Sequence, residues 1–163
     1  MYVMLQPTLL RLAALKPITA VISQLLPRID PHILRMTSGR HSLTSLVTGL
    51  ETITLTTTGA KSGQPRSTIL IPFWDGECAI LIASNFGREH HPGWHYNLIA
   101  LPQATLSREG RAQRYQARQA QGEERERYYQ VAVESYPGYA AYRQRASHRE
   151  ITVWVLTPVE MQA

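Results

Sequence analysis

From residue 51 onward the chain is cut into short β-branched runs by glycine-bearing turns, and this punctuation limits the folds open to it more than any other feature. "ETITLTTTG" (51–59) is dense in threonine and reads as a strand. "STILIPFW" (67–74) reads as a second strand and "ECAILIAS" (77–84) as the strand returning from it, because Asp75-Gly76 is a strong two-residue hairpin signal. "ATLSREG" (104–110) and "AQRYQARQA" (112–120) read as another hairpin, and "EITVWVLTP" (150–158) as the last strand. The helices expected among them are few and short: "WHYNLIAL" (94–101), stopped by Pro102, "EERERYYQVAVESY" (123–136), acidic in its first turn, and "PGYAAYRQR" (137–145). "NFGREHHPG" (85–93) is a loop. Strands joined mainly by hairpins predict an antiparallel sheet or small barrel with helices packed outside, an α+β fold.

A chain of 163 residues suggests one domain with room for a core. Its net charge of +5 favours an anionic partner: nucleic acid, an anionic membrane surface, or a phosphorylated or carboxylated ligand. Nucleic acid is set aside. No recognisable binding motif is present, and the arginines between 108 and 127 are interleaved with Glu109, Glu123, Glu124 and Glu126, as on a solvated, ion-paired face. Cys78 is the only cysteine, so no intrachain disulfide is possible, which fits a reducing cytosol. No stretch reaches the roughly 18 apolar residues of a membrane span.

Residues 1–28 read as a helical segment rather than a signal peptide, lacking a basic start and an A-x-A site. Leu5, Leu9, Leu12, Leu15, Ile18, Ile22 and Leu25 fall near helical spacing. Such a helix rests either on the protein's own domain or, through residues 1–26, on a membrane surface as a peripheral contact.

Few residues offer chemistry. "TTTGAKSGQPR" (56–66) carries Lys61 and Arg66, hydroxyls at Ser62 and, just beyond, Thr68, and two glycines that free backbone amides to face a ligand. It is not a P-loop, and on residue chemistry it is equally an anion cradle or a basic surface turn. His91 and His95 stand one helical turn apart, but no further ligand follows at metal spacing, so no metal is expected and the histidines line a cleft or cap the helix at 94. No G-x-S-x-G elbow and no obvious acid–base pair appear, and Cys78 reads as core. An enzyme built this way needs a cofactor for the hard chemistry. Tyr136, Tyr139 and Tyr142 recur every three residues, as an aromatic stripe packed on the barrel or a hydroxyl-tipped wall over a pocket.

Taken together, "TTTGAKSGQPR", "ILIASNFG", "HPGWHYNLIALP" and "YPGYAAY", closed by "REITVWVLTP", resemble the deazaflavin (F420)-dependent nitroreductase family, also called F420-dependent quinone reductase-like proteins. The similarity runs from about Asp30 to Pro158. It implies a split β-barrel of the flavin-reductase-like type with flanking helices over 29–163. It also implies hydride transfer from reduced F420, whose tail carries a phosphate and glutamates, to a quinone-like, nitroaromatic or other activated planar acceptor. Lys61, Ser62, Arg66 and Thr68 match the positions around the anionic tail. Ala83, Ser84 and Asn85 match a backbone-lined segment by the ring or its linker, and Pro92, Gly93, Trp94 and Asn97 the block against the ring. Tyr136, Tyr139 and Tyr142 match tyrosines covering the substrate, so that Ser84 or a tyrosine hydroxyl orients the acceptor or supplies a proton. Ala60 stands where the family commonly has arginine, Asn85 where it has lysine, and Gly93 where it has a larger apolar side chain. An exposed charge is worth only about 0.2–1 kcal/mol, so such losses leave binding possible. The alternatives are the same barrel holding FMN, and a non-catalytic cofactor- or ligand-binding protein. Barrels of this class often pair into homodimers, and the expected location is cytoplasmic or membrane-peripheral.

Overall fold

The structure, a computed structural model, describes Ser45 and residues 49–159. The helical segment expected at 1–28 and its membrane contact lie outside the described residues.

Among the described residues seven strands form one antiparallel sheet. In chain order they are β1 (Ile53–Thr58), β2 (Pro65–Leu70), β3 (Phe73–Asp75), β4 (Cys78–Ile82), β5 (Gln103–Arg108), β6 (Arg111–Gln119) and β7 (Val153–Pro158). Across the sheet the order is β2-β1-β5-β6-β7-β4-β3. The hairpins follow from turn chemistry. Asp75 pairs with Cys78, so the two-residue loop is Gly76-Glu77, one residue later than the Asp75-Gly76 signal implied. Gly76 sits there at φ +60°, as the first central residue of a type II′ turn requires. Glu109 and Gly110, both at positive φ, close β5 onto β6. The strand expected over 67–74 is two strands: Ile71 and Pro72 interrupt it, since proline offers no N–H to a ladder.

The sheet is curled. Trp74, on the edge strand β3, donates its Nε1–H to Glu51 (3.1 Å), just ahead of β1 near the opposite edge. Glu51 is also ion-paired with Arg108 at the end of β5, whose guanidinium lies 5.5 Å from the Trp74 ring centre. These contacts draw the two ends of the sheet together at one mouth of a split barrel.

Side chains alternate between the two faces, and each face has its own core. Ile53, Leu55, Leu81, Leu106 and Leu156 point into the barrel and meet Trp94 and Leu98 of helix α1 (Gly93–Ala100). Ile80, Ile82, Val153 and Val155 point outward, under helices α2 (Gly122–Ser135) and α3 (Gly138–Arg145), which bring Tyr129, Tyr136, Tyr139 and Tyr142. Each fully buried aliphatic side chain contributes about 1.5–3 kcal/mol. The expected ion-paired face is α2's outer side, where Glu124 takes a bidentate contact from Arg118 and Glu126 one from Arg143.

Candidate active site

The 59–64 loop joins β1 to edge strand β2 and is held from inside. The Gly59 amide donates to the Gln64 carbonyl (2.9 Å), the Gly63 amide to the Gly59 carbonyl (2.8 Å) and the Gln64 amide to Ser62 Oγ (3.3 Å). Asn97 of α1 completes the brace. Its Oδ1 accepts from the Ala60 amide and its Nδ2 donates to Thr57 Oγ1, both at 2.9 Å. Several amides that were expected to face a ligand are therefore used within the loop. The two glycines also differ. Gly63 lies at φ +65°, whereas Gly59 is needed for space, because a Cβ there would stand 2.6 Å from Ser62 Oγ.

What the loop presents outward is charge. Arg66 pairs across the sheet with Thr57 and Thr68 with Leu55, which puts both on the α1 side of edge strand β2. The Arg66 guanidinium reaches Ser62 Oγ at 3.5 Å. Lys61 and Arg66 are exposed, and among the described residues neither is ion-paired with a carboxylate, unlike Arg108, Arg118, Arg125, Arg127 and Arg143.

A second element runs from the end of β4 to the start of α1. Ala83 is buried in the inner core, and Ser84 beside it is buried as well. A single turn of 3-10 helix, Asn85–Gly87, follows with Asn85 at φ 48° and Phe86 at φ 57°. Asn85 Nδ2 donates to the His90 carbonyl (2.8 Å). Pro92 and Gly93 then open α1. A Cβ on Gly93 would meet nothing within 4 Å, while Trp94 is buried in the inner core. Asn97 stands five positions after Pro92, about 7.5 Å along the helix, so one short helix links this segment to the cationic loop.

The histidines have structural partners. Neither caps α1, whose N-cap is Pro92 with no side-chain bond. His95 stacks on His91 (centroids 4.0 Å apart, 12° between planes), and its Nδ1 accepts from Trp154 Nε1 (3.1 Å). His91 Nδ1 lies 3.3 Å from Arg149. Burial first, then the nearby His91 and Arg149, pushes the His95 pKa down to about 4. His91 is lowered by burial and then by Arg149. No group of three or more His, Cys, Asp or Glu side chains able to hold a metal ion occurs among the described residues.

Tyr136, Tyr139 and Tyr142 lie together on the outer core, 6%, 7% and 5% exposed. Their rings meet edge to face, and the hydroxyls of Tyr136 and Tyr142 stand 3.3 Å apart. Burial pushes the phenols of Tyr139 and Tyr142 well above the usual range. Phe86 joins this cluster to the segment after β4, with its ring 5.8 Å from that of Tyr142. The structure thus brings the predicted residues together as three groups. The cationic loop and the 83–93 segment are tied by α1, and the tyrosines adjoin the segment through Phe86. Thr57 and Arg149 had no assigned part in the sequence, and their partners lie 40 and 58–66 positions away.

A curled antiparallel sheet closed over a short helix, with a cationic loop at one edge, defines a protein of the flavin-reductase-like split-barrel class. A solved F420-H2 dependent reductase (FDR-A) is similar at 34% identity, covering 65% of this chain and 93% of that one, with a TM-score of 0.59. Another solved structure, described as a domain-swapped dimer, is 32% identical over 86% of this chain and 99% of its own, with a TM-score of 0.61. The heme storage protein HutZ of Vibrio cholerae, at 13% identity and a TM-score of 0.51, shares the fold alone. Residues 25–158 match the family described as F420H(2)-dependent quinone reductase, and the chain belongs to that family. The F420H(2)-dependent quinone reductase Rv1261c of Mycobacterium tuberculosis and the putative enzyme Mb1292c of Mycobacterium bovis are each 38% identical over 82 residues. That match spans 49% of this chain and 53% of those relatives, about half their length.

Proposed function

We propose that this protein is an oxidoreductase that passes a hydride from reduced F420 to a quinone-like, nitroaromatic or other activated planar acceptor. The observation that carries the reading is the pair of cations, Lys61 and Arg66, that no described carboxylate neutralises. Two open cations, a hydroxyl between them and a loop braced from behind are a donor set suited to a phosphate and carboxylate tail. Lys61, Ser62, Arg66 and Thr68 would hold that tail. Ala83, Ser84 and Asn85 would line the ring or its linker, beside Pro92 and Gly93. Trp94 and Asn97 would act from behind, one in the core and one in the loop brace.

Bound and reduced, the deazaflavin supplies the hydride. The chain's own part is orientation and exclusion of water, so no triad is needed. Phenols are protonated at neutral pH, and burial makes those of Tyr139 and Tyr142 weaker acids still, so they would serve as hydrogen-bond donors that orient an acceptor rather than as proton sources. Ser84, at the junction of the inner core and the 3-10 turn, carries the hydroxyl of the 83–93 segment.

Fluorescence titration with F420 and, separately, with FMN tests the binding, and oxidation of reduced F420 by menadione tests the turnover. Absence of F420 binding together with absence of turnover on several acceptors would sink the reading. An FMN spectrum in the purified protein would favour the flavin alternative. The closed packing of the three tyrosines favours one second reading, a binding protein without turnover, for which tight F420 binding and no hydride transfer are the signature.

A homodimer fits the similar structure described as a domain-swapped dimer, and light scattering of the full chain measures it. Residues 1–26 would give peripheral contact between a cytoplasmic protein and a membrane. Unchanged liposome co-sedimentation on their deletion would refute that. No helix among the described residues is long and apolar enough to cross a membrane.

A further inference from the structure

Arg149 lies between α3 and β7, outside every group assigned above except for its contact with His91. Its Nη2 donates to the Ser84 carbonyl (2.8 Å), its Nε to the Arg88 carbonyl (3.1 Å), and its Nη1 reaches the Ala83 carbonyl (3.5 Å) and His91 Nδ1 (3.3 Å). None of these partners is a carboxylate, and the neighbouring Glu150 is ion-paired with Arg125 instead. A partly buried cation without an acid is costly unless its N–H groups are well used. Burial accordingly lowers its pKa from the usual guanidinium range. Here the N–H groups are spent on one stretch of backbone.

That stretch is strained. Asn85 and Phe86 both adopt left-handed φ, a conformation that persists only where the surroundings over-determine it. Gly87 follows at φ +77°, where a Cβ would stand 2.7 Å from Arg145 Cβ and 2.8 Å from the Tyr142 carbonyl. The peptides 83–84 and 84–85 are trans and planar, so carbonyls drawn to Arg149 force the Ser84 and Asn85 N–H groups to the opposite side.

We infer that Arg149 is a positioning residue of the cofactor site: its guanidinium fixes the Ala83–Arg88 backbone so that the N–H groups of Ser84 and Asn85 are presented in one orientation, away from itself. The inference rests on the proposal that this segment lies against the cofactor. Lysine cannot replace the arginine, because one ammonium does not span three carbonyl groups and an imidazole as the planar fork does.

The test uses the full chain carrying Arg149→Lys or Arg149→Met. Amide hydrogen exchange without cofactor should quicken by about tenfold over 83–91 in both variants, while the 103–119 hairpin keeps its protection. The F420 dissociation constant should rise by about tenfold. Arg149→Lys keeps the charge, so its failure to restore affinity separates geometry from electrostatics. Should Arg149→Met not fold, the lysine variant carries the test. Unchanged exchange over 83–91 would overturn the inference. So would weakened binding with unchanged exchange, which points to direct contact, or an equal loss of protection in all strands, which points to general fold support. If the unaltered protein does not bind F420, the functional reading fails, and the exchange measurement still decides whether Arg149 fixes the segment.

Discussion

Acidification should weaken this protein through one buried imidazole. His95 is 5% exposed, accepts from Trp154 at 3.1 Å and stacks on His91, behind which sits Arg149. Its folded pKa is pushed down to about 4, against an unfolded value of about 6.5. Above pH 6.5 both states are neutral at this residue and nothing is lost. As pH falls through 6.5 the unfolded chain takes a proton that the folded protein refuses, and the loss continues until the folded pKa near 4 is reached. At about 1.4 kcal/mol per pH unit, the full cost is about 3 kcal/mol, a large share of a typical domain stability of about 5–15 kcal/mol. His91, lowered for the same reasons, acts in the same direction. Urea unfolding followed by tryptophan fluorescence at steps from pH 7.5 to 4.5 measures this. His95→Phe keeps a ring against His91 but cannot titrate. It should start less stable, because Trp154 loses its acceptor, and then lose less on acidification. Parallel stability–pH curves for the two proteins would refute the assignment.

Asn97→Leu should cost about 2–4 kcal/mol in urea unfolding, because it leaves the Ala60 amide and the buried Thr57 hydroxyl without their partner. Gly59→Ala should destabilise by about 1–3 kcal/mol, since the new methyl meets Ser62 Oγ and, at 3.1 Å, the Gln64 carbonyl; unchanged thermal unfolding would contradict it. Lys61→Ala and Arg66→Ala should each weaken F420 binding by up to about fivefold, flatten its dependence on salt and leave folding intact. A salt dependence unaltered in both variants would place the anion elsewhere.

How much of this could be read from the chain depended on how far apart the interacting residues lie. The hairpins were legible because Gly76 and Gly110 sit between the strands they join. The break at Ile71-Pro72 was missed although proline marked it, since apolar residues continue on both sides. On composition the loop was equally an anion cradle or a basic turn, and the shared sequence blocks pointed to the family, yet composition could not tell which amides were already used. That depended on Asn97, 37 residues on from Ala60. Arg149 gave no local signal. It opens the "REITVWVLTP" block, which marked the family and not a role for the arginine; its meaning comes from carbonyls of another loop that only the folded sheet brings near.

The Asn97 brace divides the 59–64 loop into two kinds of position. Gly59 and the Ala60 amide are fastened to the barrel and its helix, forming a collar in which Gly59 leaves no room for a larger side chain. Lys61 at the tip is exposed. A lineage, or a designer, can therefore exchange the tip to suit tails of different length or charge while the collar keeps the mouth of the barrel in register. In the function proposed above, recognition of the cofactor's far end can evolve separately from the fold that would hold its reactive end.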